Sequence, residues 1–162
     1  MQDGRGFTIY ARREFKITKA TDDEVIDMIK DIRPLDKQEI EKLTGLPFNM
    51  AVLDILITYQ YPIRKLTYGN AVLGFGGWDD TGIVWLVLTT EYDKHKVAFL
   101  RWGKKYLKVL LKRFDTVYNV IWSKNVDHIK FLKFFGATFE DIGNDLLLFK
   151  ICARSKLSKR GD

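Results

Sequence analysis

The chain has 162 residues, of which 46% are hydrophobic and 14% aromatic, and it contains only three prolines. This composition is typical of one compact globular domain and excludes a disordered or fibrous chain. We predict a single domain over residues 1–153 and a basic C-terminal tail over residues 154–162. The single cysteine, Cys152, excludes an intrachain disulfide and a thiolate-rich metal site, and the two histidines form no clustered metal motif. No metal ligands are predicted.

The net charge of +6 is unevenly placed along the chain. Acidic residues dominate over 21–45, whereas basic residues dominate over 94–113. A basic stripe can meet phosphates, nucleic acid or an acidic protein surface, although a solvated helix face is the simpler explanation. No apolar run reaches the length of about eighteen residues that a membrane helix needs, and the polar start is unlike a signal peptide. We therefore expect a cytosolic protein.

The N-terminal part predicts one strand and then a helix. Alternating apolar positions over 7–18 indicate a first strand that is half exposed. Thr21 and Glu24 have the spacing of a capping box, so a helix should begin there. The apolar residues that this helix should turn inward are Val25, Ile26, Met28, Ile29 and Ile32.

Two further helices are predicted before the first hairpin. The pair Arg33-Pro34 should end the first helix, because a residue before proline avoids the helical region. Asp36 is expected to cap a second helix that stops at Gly45. A third helix over 48–59 is apolar nearly all round, so we expect it to be well buried.

The middle of the chain predicts a hairpin, a third strand and a long helix. Strands over 63–68 and 71–78 flank the turn pair Gly69-Asn70. Three glycines in the second of these strands indicate a bulge or a close approach of another backbone. The run 83–89 is nearly all apolar, which is typical of a central strand with both faces covered. A long helix should follow over 93–114, with basic residues between the positions of a broad apolar stripe.

The stretch 116–139 carries the clearest pattern. β-Branched and aromatic residues are dense over 116–122, which predicts a largely buried strand. Asn125 can cap a helix whose apolar positions recur at helical spacing, and Gly136 stands where a left-handed C-cap residue is needed. A second strand follows Gly136, and 146–153 predicts the last strand.

Helices therefore alternate with strands, which favours a three-layer α/β fold with a mixed sheet. This order, with Asn125 after the fifth main strand and Gly136 eleven residues on, resembles the acyl-CoA N-acyltransferase (GNAT) superfamily. The resemblance implies a three-layer α+β fold with a mixed, mainly antiparallel central sheet and helices on both faces. It also implies acetyl-CoA or CoA as cofactor if the protein is active. The pantetheine arm would enter a gap where the fourth and fifth strands splay apart, near Thr89 and Asn125.

A narrower resemblance rests on the runs FDTVYNVIW and KNVDHIKFLKFFGATF and on the basic helix before them. They resemble a family of virion-assembly or internal-core proteins of short-tailed bacteriophages, a family that is itself described as acetyltransferase-like. The resemblance spans 85–151 and extends more loosely to IRPLDKQEIEKLTG in the N-terminal half. Two hypotheses follow, because fold alone does not choose a function. One is a phage morphogenesis protein with weak or no catalysis, and the other is an active acetyl-CoA-dependent N-acetyltransferase acting on a protein or a small amine.

The GNAT resemblance implies a set of coenzyme A-binding positions. These are Leu88, Thr89, Lys94, His95, Lys96, Ala98 and Asn125. In the superfamily, a glycine-rich turn binds the pyrophosphate with backbone N–H groups at a helix N-terminus. In the corresponding run 93–98 only Ala98 fits this pattern, since Asp93 places a carboxylate where the diphosphate would lie and Lys96 replaces a glycine. The side chains of the basic residues in this run can instead supply the positive charge.

The resemblance also locates the expected proton donor. Many of these enzymes use a Tyr seven residues after the Asn, where this chain has Leu132, which cannot transfer a proton. Loss of positioned proton transfer typically costs about 10²- to 10⁴-fold in rate. His128, in the first turn of the same helix, is a weak candidate for a catalytic substitute, although a surface or capping role is the ordinary explanation. We therefore expect a catalytically weakened protein.

The partners implied by the phage resemblance are phage structural proteins or host proteins, bound through the basic helix and the tail. The expected location is the host-cell cytoplasm, with the virion as a second location. Neither a membrane nor nucleic acid is an expected partner, because no membrane segment is present and the tryptophans lie on predicted core faces.

Overall fold

The structure, a computed structural model, describes residues 13–153. Two short 3-10 turns, Ile29–Asp31 and Thr90–Lys94, accompany the main elements. The main elements in chain order are β1 (Phe15–Lys19), α1 (Asp22–Met28), α2 (Pro34–Thr44), α3 (Phe48–Thr58), β2 (Arg64–Tyr68), β3 (Ala71–Trp78), β4 (Val84–Leu88), α4 (Lys96–Arg113), β5 (Thr116–Trp122), α5 (Val126–Phe134), β6 (Thr138–Gly143) and β7 (Leu146–Cys152). Within residues 13–153, no helix has the length and apolar character to cross a membrane. The predicted tail 154–162 and the start of the predicted first strand lie outside the described residues.

The strands form two antiparallel sheets that meet at one end only. The first sheet has the order β1-β2-β3-β4 and the second the order β5-β7-β6. β4 and β5 touch where Ile83 and Tyr118 form an isolated parallel bridge. The Asn119 side-chain amide donates to the Val84 carbonyl at 2.9 Å beside this bridge. No ladder joins β4 to β5 further along in the part of the chain that the structure describes, so the two strands diverge toward their C-terminal ends.

Helices cover both faces of the sheets, which confirms the three-layer α+β class. α1 and α3 pack on one face of the four-stranded sheet. The buried residues of this layer are Val25, Met28, Ile32, Phe48, Val52, Phe75 and Val87. α4 covers the opposite face through Phe99, and α5 packs on the three-stranded sheet through Leu132. Full burial of each such side chain contributes about 1.5–3 kcal/mol.

The predicted helix boundaries are confirmed where they depend on local capping. Thr21 Oγ1 accepts from the Glu24 N–H at 3.2 Å, and Glu24 Oε1 accepts from the Thr21 N–H at 3.1 Å. The Asn125 side chain accepts from the third N–H of α5, as a capping residue should. Gly45 and Gly136 follow their helices with φ of 71° and 83°, a conformation that favours glycine.

The prediction of a bulge or a close backbone approach in β3 is confirmed, because the strand has both. The pairing of β2 with β3 shifts register between Leu66 and Thr67. A Cβ added at Gly76 would lie 2.2 Å from the Trp85 carbonyl oxygen, and one at Gly74 would lie equally close to the carbonyl oxygen of Val87. Only glycine therefore allows the backbone of β4 to approach at these two positions.

Two predictions about burial are wrong. Ile26 is 47% exposed, and α3 presents Met50, Leu53 and Ile57 to solvent, with Ile57 82% exposed. α3 belongs to the outer layer, so only the stripe that contains Phe48 and Val52 can face the sheet. The outer face of α3 is also apolar, but its apolar sequence does not provide another layer for that face to pack against.

Two predictions about element starts are also corrected. α2 begins at Pro34, not after a cap at Asp36, because proline at the first helical position already has the φ that a helix needs. The Asp36 side chain turns inward. Within the described residues the first strand begins at Phe15, so Arg13 and Glu14, which the predicted strand included, precede it.

The turn between β3 and β4 is held by one carboxylate. Asp79 Oδ1 accepts from Thr81 N–H at 2.8 Å, from the Thr81 hydroxyl at 2.8 Å and from the N–H groups of Gly82 and Ile83 at 3.1 Å each. Partial burial raises the pKa of Asp79, but these hydrogen bonds outweigh burial and hold the pKa below its ordinary value. The ionised carboxylate therefore stabilises the folded chain.

We expect Asp79→Ala to lower the free energy of unfolding by about 1 kcal/mol at pH 7. Because the folded pKa lies below the unfolded one, this contribution is present above the unfolded pKa, at about 4, and is lost as pH falls through the folded pKa. Urea unfolding at pH 7 and pH 3 should show the difference from wild type shrinking in acid. Asp80→Ala is the control, since Asp80 is exposed and, among residues 13–153, pairs with Arg113 alone, at 3.7 Å. Equal effects of both substitutions at pH 7 would contradict the assignment.

Candidate functional site

The candidate site is the gap between the diverging ends of β4 and β5, where the GNAT resemblance places pantetheine. In this structure the start of α2 fills the gap. Asp36 and Glu39 are three residues apart and so share one face of α2, and Arg33 lies directly before the helix. We call Arg33, Asp36 and Glu39 the α2 wedge. All three are 6% exposed.

Asp36 joins β4 to the start of α5. Its Oδ2 accepts from the Leu88 N–H at 2.8 Å, and its Oδ1 accepts from Asn125 Nδ2 at 3.2 Å. The main chain just before α2 also bonds to the edge of β4. The Arg33 N–H donates to the Leu88 carbonyl at 2.9 Å, and Ile32 pairs antiparallel with Thr89. The free edge of β4 is thus occupied by the chain itself.

Glu39 makes the corresponding contact with β5. Its Oε2 accepts from the Trp122 N–H at 3.0 Å, and its Oε1 lies 2.9 Å from His128 Nδ1. The His128 side chain is 17% exposed. The wedge therefore bonds to the main chain of both diverging strands and to the first turn of α5.

Arg33 supplies the positive charge of the cluster. Its guanidinium donates to Asp127 Oδ2 at 2.5 Å and to Asp93 Oδ2 at 3.3 Å, and it lies 3.7 Å from Asp36 Oδ1. The same group lies over the ring of Tyr92, 5.3 Å from the ring centroid. One buried cation is thus surrounded by three carboxylates from three parts of the chain.

Burial and the surrounding charges shift the pKa values of this cluster in opposite directions. Burial raises the pKa of Asp36 above its ordinary value, although the bond from Leu88, the charge of His128, the Asn125 amide and Arg33 all oppose the shift. Burial lowers the pKa of Arg33, but the carboxylates around it outweigh burial, so that its pKa is raised. Arg33 is therefore charged throughout the physiological pH range, whereas keeping the buried Asp36 ionised costs free energy.

Three predicted cofactor positions border the wedge, and their polar groups are bonded within the chain. Leu88 is bonded through both its N–H and its carbonyl, as described above. Thr89 donates its N–H to the Leu73 carbonyl at 2.8 Å and its hydroxyl to the Val72 carbonyl at 2.7 Å. Asn125 is fully buried, with its amide divided between Asp36 and the helix cap.

Little space remains beside these groups. The cavity bordered by Arg33, Asp36, Leu88, Tyr92, Asp127 and His128 has a volume of about 10 Å³. One water molecule needs about 10–15 Å³ by this measure. The described residues, in this arrangement, do not fit a pantetheine arm.

The four other predicted cofactor positions lie around the start of α4. Lys94 pairs with Glu91 at 2.9 Å and Lys96 with Asp93 at 3.5 Å, both at exposed positions. His95 precedes α4 and meets the ring of Tyr68 edge to face, 5.1 Å between centroids. Ala98 is in the first turn of the helix. These four residues lie in one short run, and both lysines already have acidic partners. Their role in cofactor binding stays a prediction.

Leu132 and His128, the two positions considered for proton transfer, both make structural contacts. Leu132 is 4% exposed in the core beneath the three-stranded sheet. His128 is held by Glu39, as described above. The role of His128 in catalysis stays a prediction.

The residues that the sequence interpretation missed are those of the α2 wedge. The sequence pattern predicts a helix boundary at Arg33 and a cap at Asp36, and it places Glu39 in a run of acidic residues. One signal was available: α2 has few apolar residues, namely Leu35, Ile40 and Leu43, so its inward face had to include polar side chains.

The fold agrees with that of known acetyltransferases. An acetyltransferase from Thermus thermophilus is similar with a TM-score of 0.61 at 12% identity, over 90% of this chain and all of that one. Ard1 from Thermoplasma volcanium gives 0.57 at 14% identity, over 86% and 97% of the two chains. The yncA protein of Salmonella typhimurium, solved with its cofactor acetyl-CoA, gives 0.51 at 13% identity, over 85% and 93%. At these identities the comparison establishes a GNAT-like fold.

A sequence family adds a second resemblance. Residues 64–142 match the family model described as "Bacteriophage T7, probable scaffold protein Gp13". Over 48 residues the chain is 38% identical to the "Probable scaffold protein gp13" of Escherichia phage T7, which covers 30% of this chain and 35% of that protein. The match thus spans about a third of the length of the phage T7 protein. The resemblance to phage assembly proteins is confirmed over this segment, which starts earlier and ends earlier than the predicted span 85–151.

We expect Asp36→Ala to lower the free energy of unfolding by about 3 kcal/mol, because it leaves the Leu88 N–H and the Asn125 amide buried without acceptors. Asp36→Asn removes the charge and also replaces one of the two accepting oxygens with an NH2 donor. Since the folded pKa of Asp36 is raised, its stabilising contribution is complete below the unfolded pKa and is lost as pH rises through the folded pKa. The difference in unfolding free energy between wild type and Asp36→Asn should therefore be larger at pH 4 than at pH 7.

Denaturant unfolding at both pH values measures these differences. Asp31→Asn is the matched control, since Asp31 is an exposed carboxylate just before α2. A pH-independent difference for Asp36→Asn, equal to that of the control, would rule out a perturbed buried carboxyl at this position.

Proposed function

We propose that this protein acts in phage particle assembly, with its GNAT-like fold serving as a binding scaffold that has weak or no acetyl transfer activity. The observation that carries this proposal is the position of the α2 wedge. Asp36 accepts from the Leu88 N–H and from Asn125, so the groups that would hold pantetheine are used inside the chain. A ligand could enter only by displacing bonds that are already made.

The chemistry of the surrounding residues supports the same proposal. Asp93 places a carboxylate next to the start of α4, where a diphosphate would need positive charge. Leu132 occupies the position of the usual proton donor, which removes a contribution of about 10²- to 10⁴-fold to the rate. Binding and catalysis are thus weakened at separate places.

The family resemblance supports the assembly role. The family model that residues 64–142 match, and the phage T7 protein that 48 residues of the chain resemble, are both described as a "probable scaffold protein". By analogy we place this protein in the infected host cell during particle assembly, in contact with phage structural proteins or host proteins. The fold neighbours alone do not favour this role over an enzymatic one.

The partner surface that we propose is the outer face of α4. Its exposed basic residues recur at spacings of three and four, so they form one stripe along the helix. The stripe consists of Arg101, Lys104, Lys105, Lys108 and Lys112. No carboxylate pairs with any of the five in the part of the chain that is described, although Lys104 lies over the ring of Phe134, 4.3 Å from its centroid. Such a stripe suits an acidic protein surface. The tail 154–162 is included in the proposal from sequence alone.

The alternative is an acetyl-CoA-dependent N-acetyltransferase that modifies a protein or a small amine. Two observations favour it: the divergence of β4 and β5, and the similarity of the fold to yncA, which was solved with acetyl-CoA. In this alternative, Leu88, Thr89, Lys94, His95, Lys96, Ala98 and Asn125 would contact the cofactor. His128 would be the residue to test for proton transfer.

Calorimetric titration with coenzyme A and with acetyl-CoA tests the first proposal. We expect no binding up to about 1 mM ligand, because binding in the gap must displace several buried hydrogen bonds. Asp36→Ala, where it folds, is the companion variant: binding that appears only in this variant would identify the wedge as the block. Micromolar binding by the wild type, with turnover on an amine, would reject the scaffold proposal in favour of the enzyme.

Charge reversal of the stripe tests the second proposal. In infected cells that lack the phage's own copy of the gene, we expect Lys105→Glu, Lys108→Glu and Lys112→Glu together to lower infectious titre by at least about tenfold. The protein should also be lost from purified particles or their precursors, measured by immunoblot.

The matched control is a triple reversal of exposed lysines outside the stripe, at Lys19, Lys30 and Lys42. It makes the same change in net charge and should leave titre and incorporation unchanged. Equal loss with both triple variants would mean that net charge matters and that the stripe is not a specific surface.

A further inference from the structure

A second and larger cavity lies away from the wedge, between α4 and the two sheets. Its volume is about 170 Å³, and its lining is almost entirely apolar. The walls include the aromatic side chains of Trp78, Phe99, Trp102, Tyr106 and Phe135, together with Leu107. None of the three wedge residues contributes to it.

Glycines explain why this space exists. Gly76 in β3 and Gly103 in α4 both line the cavity and bring no side chain into it. Neither can be enlarged simply: a Cβ at Gly76 would meet the Trp85 carbonyl oxygen at 2.2 Å, and one at Gly103 would meet the Phe135 ring at 2.6 Å. The shape of the cavity thus depends on close backbone and ring contacts at these two glycines and not on the conformation of a single side chain.

The charged side chain of Arg64 stands at its rim. The Arg64 guanidinium lies over the ring of Trp78, 4.5 Å from the centroid, and its charge acts on the half-buried phenol of Tyr106. In residues 13–153 no carboxylate pairs with Arg64, whereas its neighbour Lys65, which also borders the cavity, pairs with Glu24. Arg64, Trp78 and Tyr106 are only partly buried, so this rim reaches solvent.

The size and the lining define what can enter. An apolar cavity of about 150 Å³ stays dry and takes up benzene, so a volume of this order admits one aromatic ring or about six methylene groups. A guanidinium at the rim recognises a carboxylate by paired hydrogen bonds, and its stacking on Trp78 holds its plane in position.

We propose that this cavity is a binding site for a small monocarboxylate with an apolar body of one ring or a short alkyl chain. The apolar body would lie between α4 and the sheets, and the carboxylate would pair with Arg64 at the rim. Tyr106 stands on the same rim and can donate its hydroxyl to the second carboxylate oxygen.

Titration of the full chain with benzoate and hexanoate tests this site, with benzyl alcohol and hexan-1-ol as uncharged partners of matched size. We expect the carboxylates to bind with dissociation constants of about 0.1–1 mM, and the fluorescence of Trp78 and Trp102 to report the event. Arg64→Met should weaken the carboxylates at least about tenfold and change the alcohols by less than about twofold. Arg113→Met is the matched control, since Arg113 also lies over an aromatic ring, that of Phe114, but away from the cavity.

Leu107→Phe tests the cavity itself, because the added ring atoms fill it. Both ligand classes should lose binding, and should this variant fail to fold, Val84→Ile fills the same space by one methyl group and should weaken both. The proposal is overturned by no carboxylate binding up to about 10 mM, by equal effects of Arg64→Met and Arg113→Met, or by full affinity in the filled variants. Each of these results is independent of whether coenzyme A binds beside the wedge.

Discussion

The buried carboxylate of Asp36 is the contact on which the arrangement of the two sheets depends. β4 and β5 share a single bridge near Ile83, so their diverging ends need other partners for the main-chain groups that a continuous sheet would have paired. Asp36 and Glu39 accept from the N–H groups of Leu88 and Trp122, one on each strand. A buried charge is expensive unless it is hydrogen-bonded and paired, and Arg33 supplies the pairing. The helix, the two strands and the cation therefore form one unit.

The parts of the fold that the sequence could predict are those decided by near neighbours. The capping box at Thr21, the cap at Asn125 and the left-handed residue at Gly136 each depend on residues within about four positions. The hairpin around Gly69 depends on its own turn in the same way. The alternation of strands and helices then follows from local periodicity, and with it the fold class.

The site could not be predicted by such means, because its contacts are long-range. Asp36 and Leu88 are 52 positions apart, and Glu39 and Trp122 are 83 apart. A local interpretation of Asp36 after a proline favours a helix cap, and only the tertiary structure shows that the side chain turns inward. The same limitation explains the error about α3: an apolar sequence shows that a helix can be buried, but the layer in which it lies decides how much of it is buried.

The side chain of Asn125 fits both the scaffold and the enzyme hypothesis, but the partner of its Nδ2 distinguishes between them. Its carbonyl oxygen caps α5, which any strand-helix unit of this kind needs, so the presence of Asn125 is evidence for the fold and not for a cofactor. Its Nδ2 is what a ligand in the gap would compete for, and here it donates to Asp36. Each buried polar group left without a partner costs about 1–3 kcal/mol, and displacing the wedge would free at least three, counting the N–H groups of Leu88 and Trp122. A ligand that replaced only one of these bonds would lose about two to six kcal/mol, or roughly 30-fold to more than 10⁴-fold in affinity. Because α2 lies in the gap, the scaffold and the enzyme hypotheses predict different affinities for a ligand such as coenzyme A.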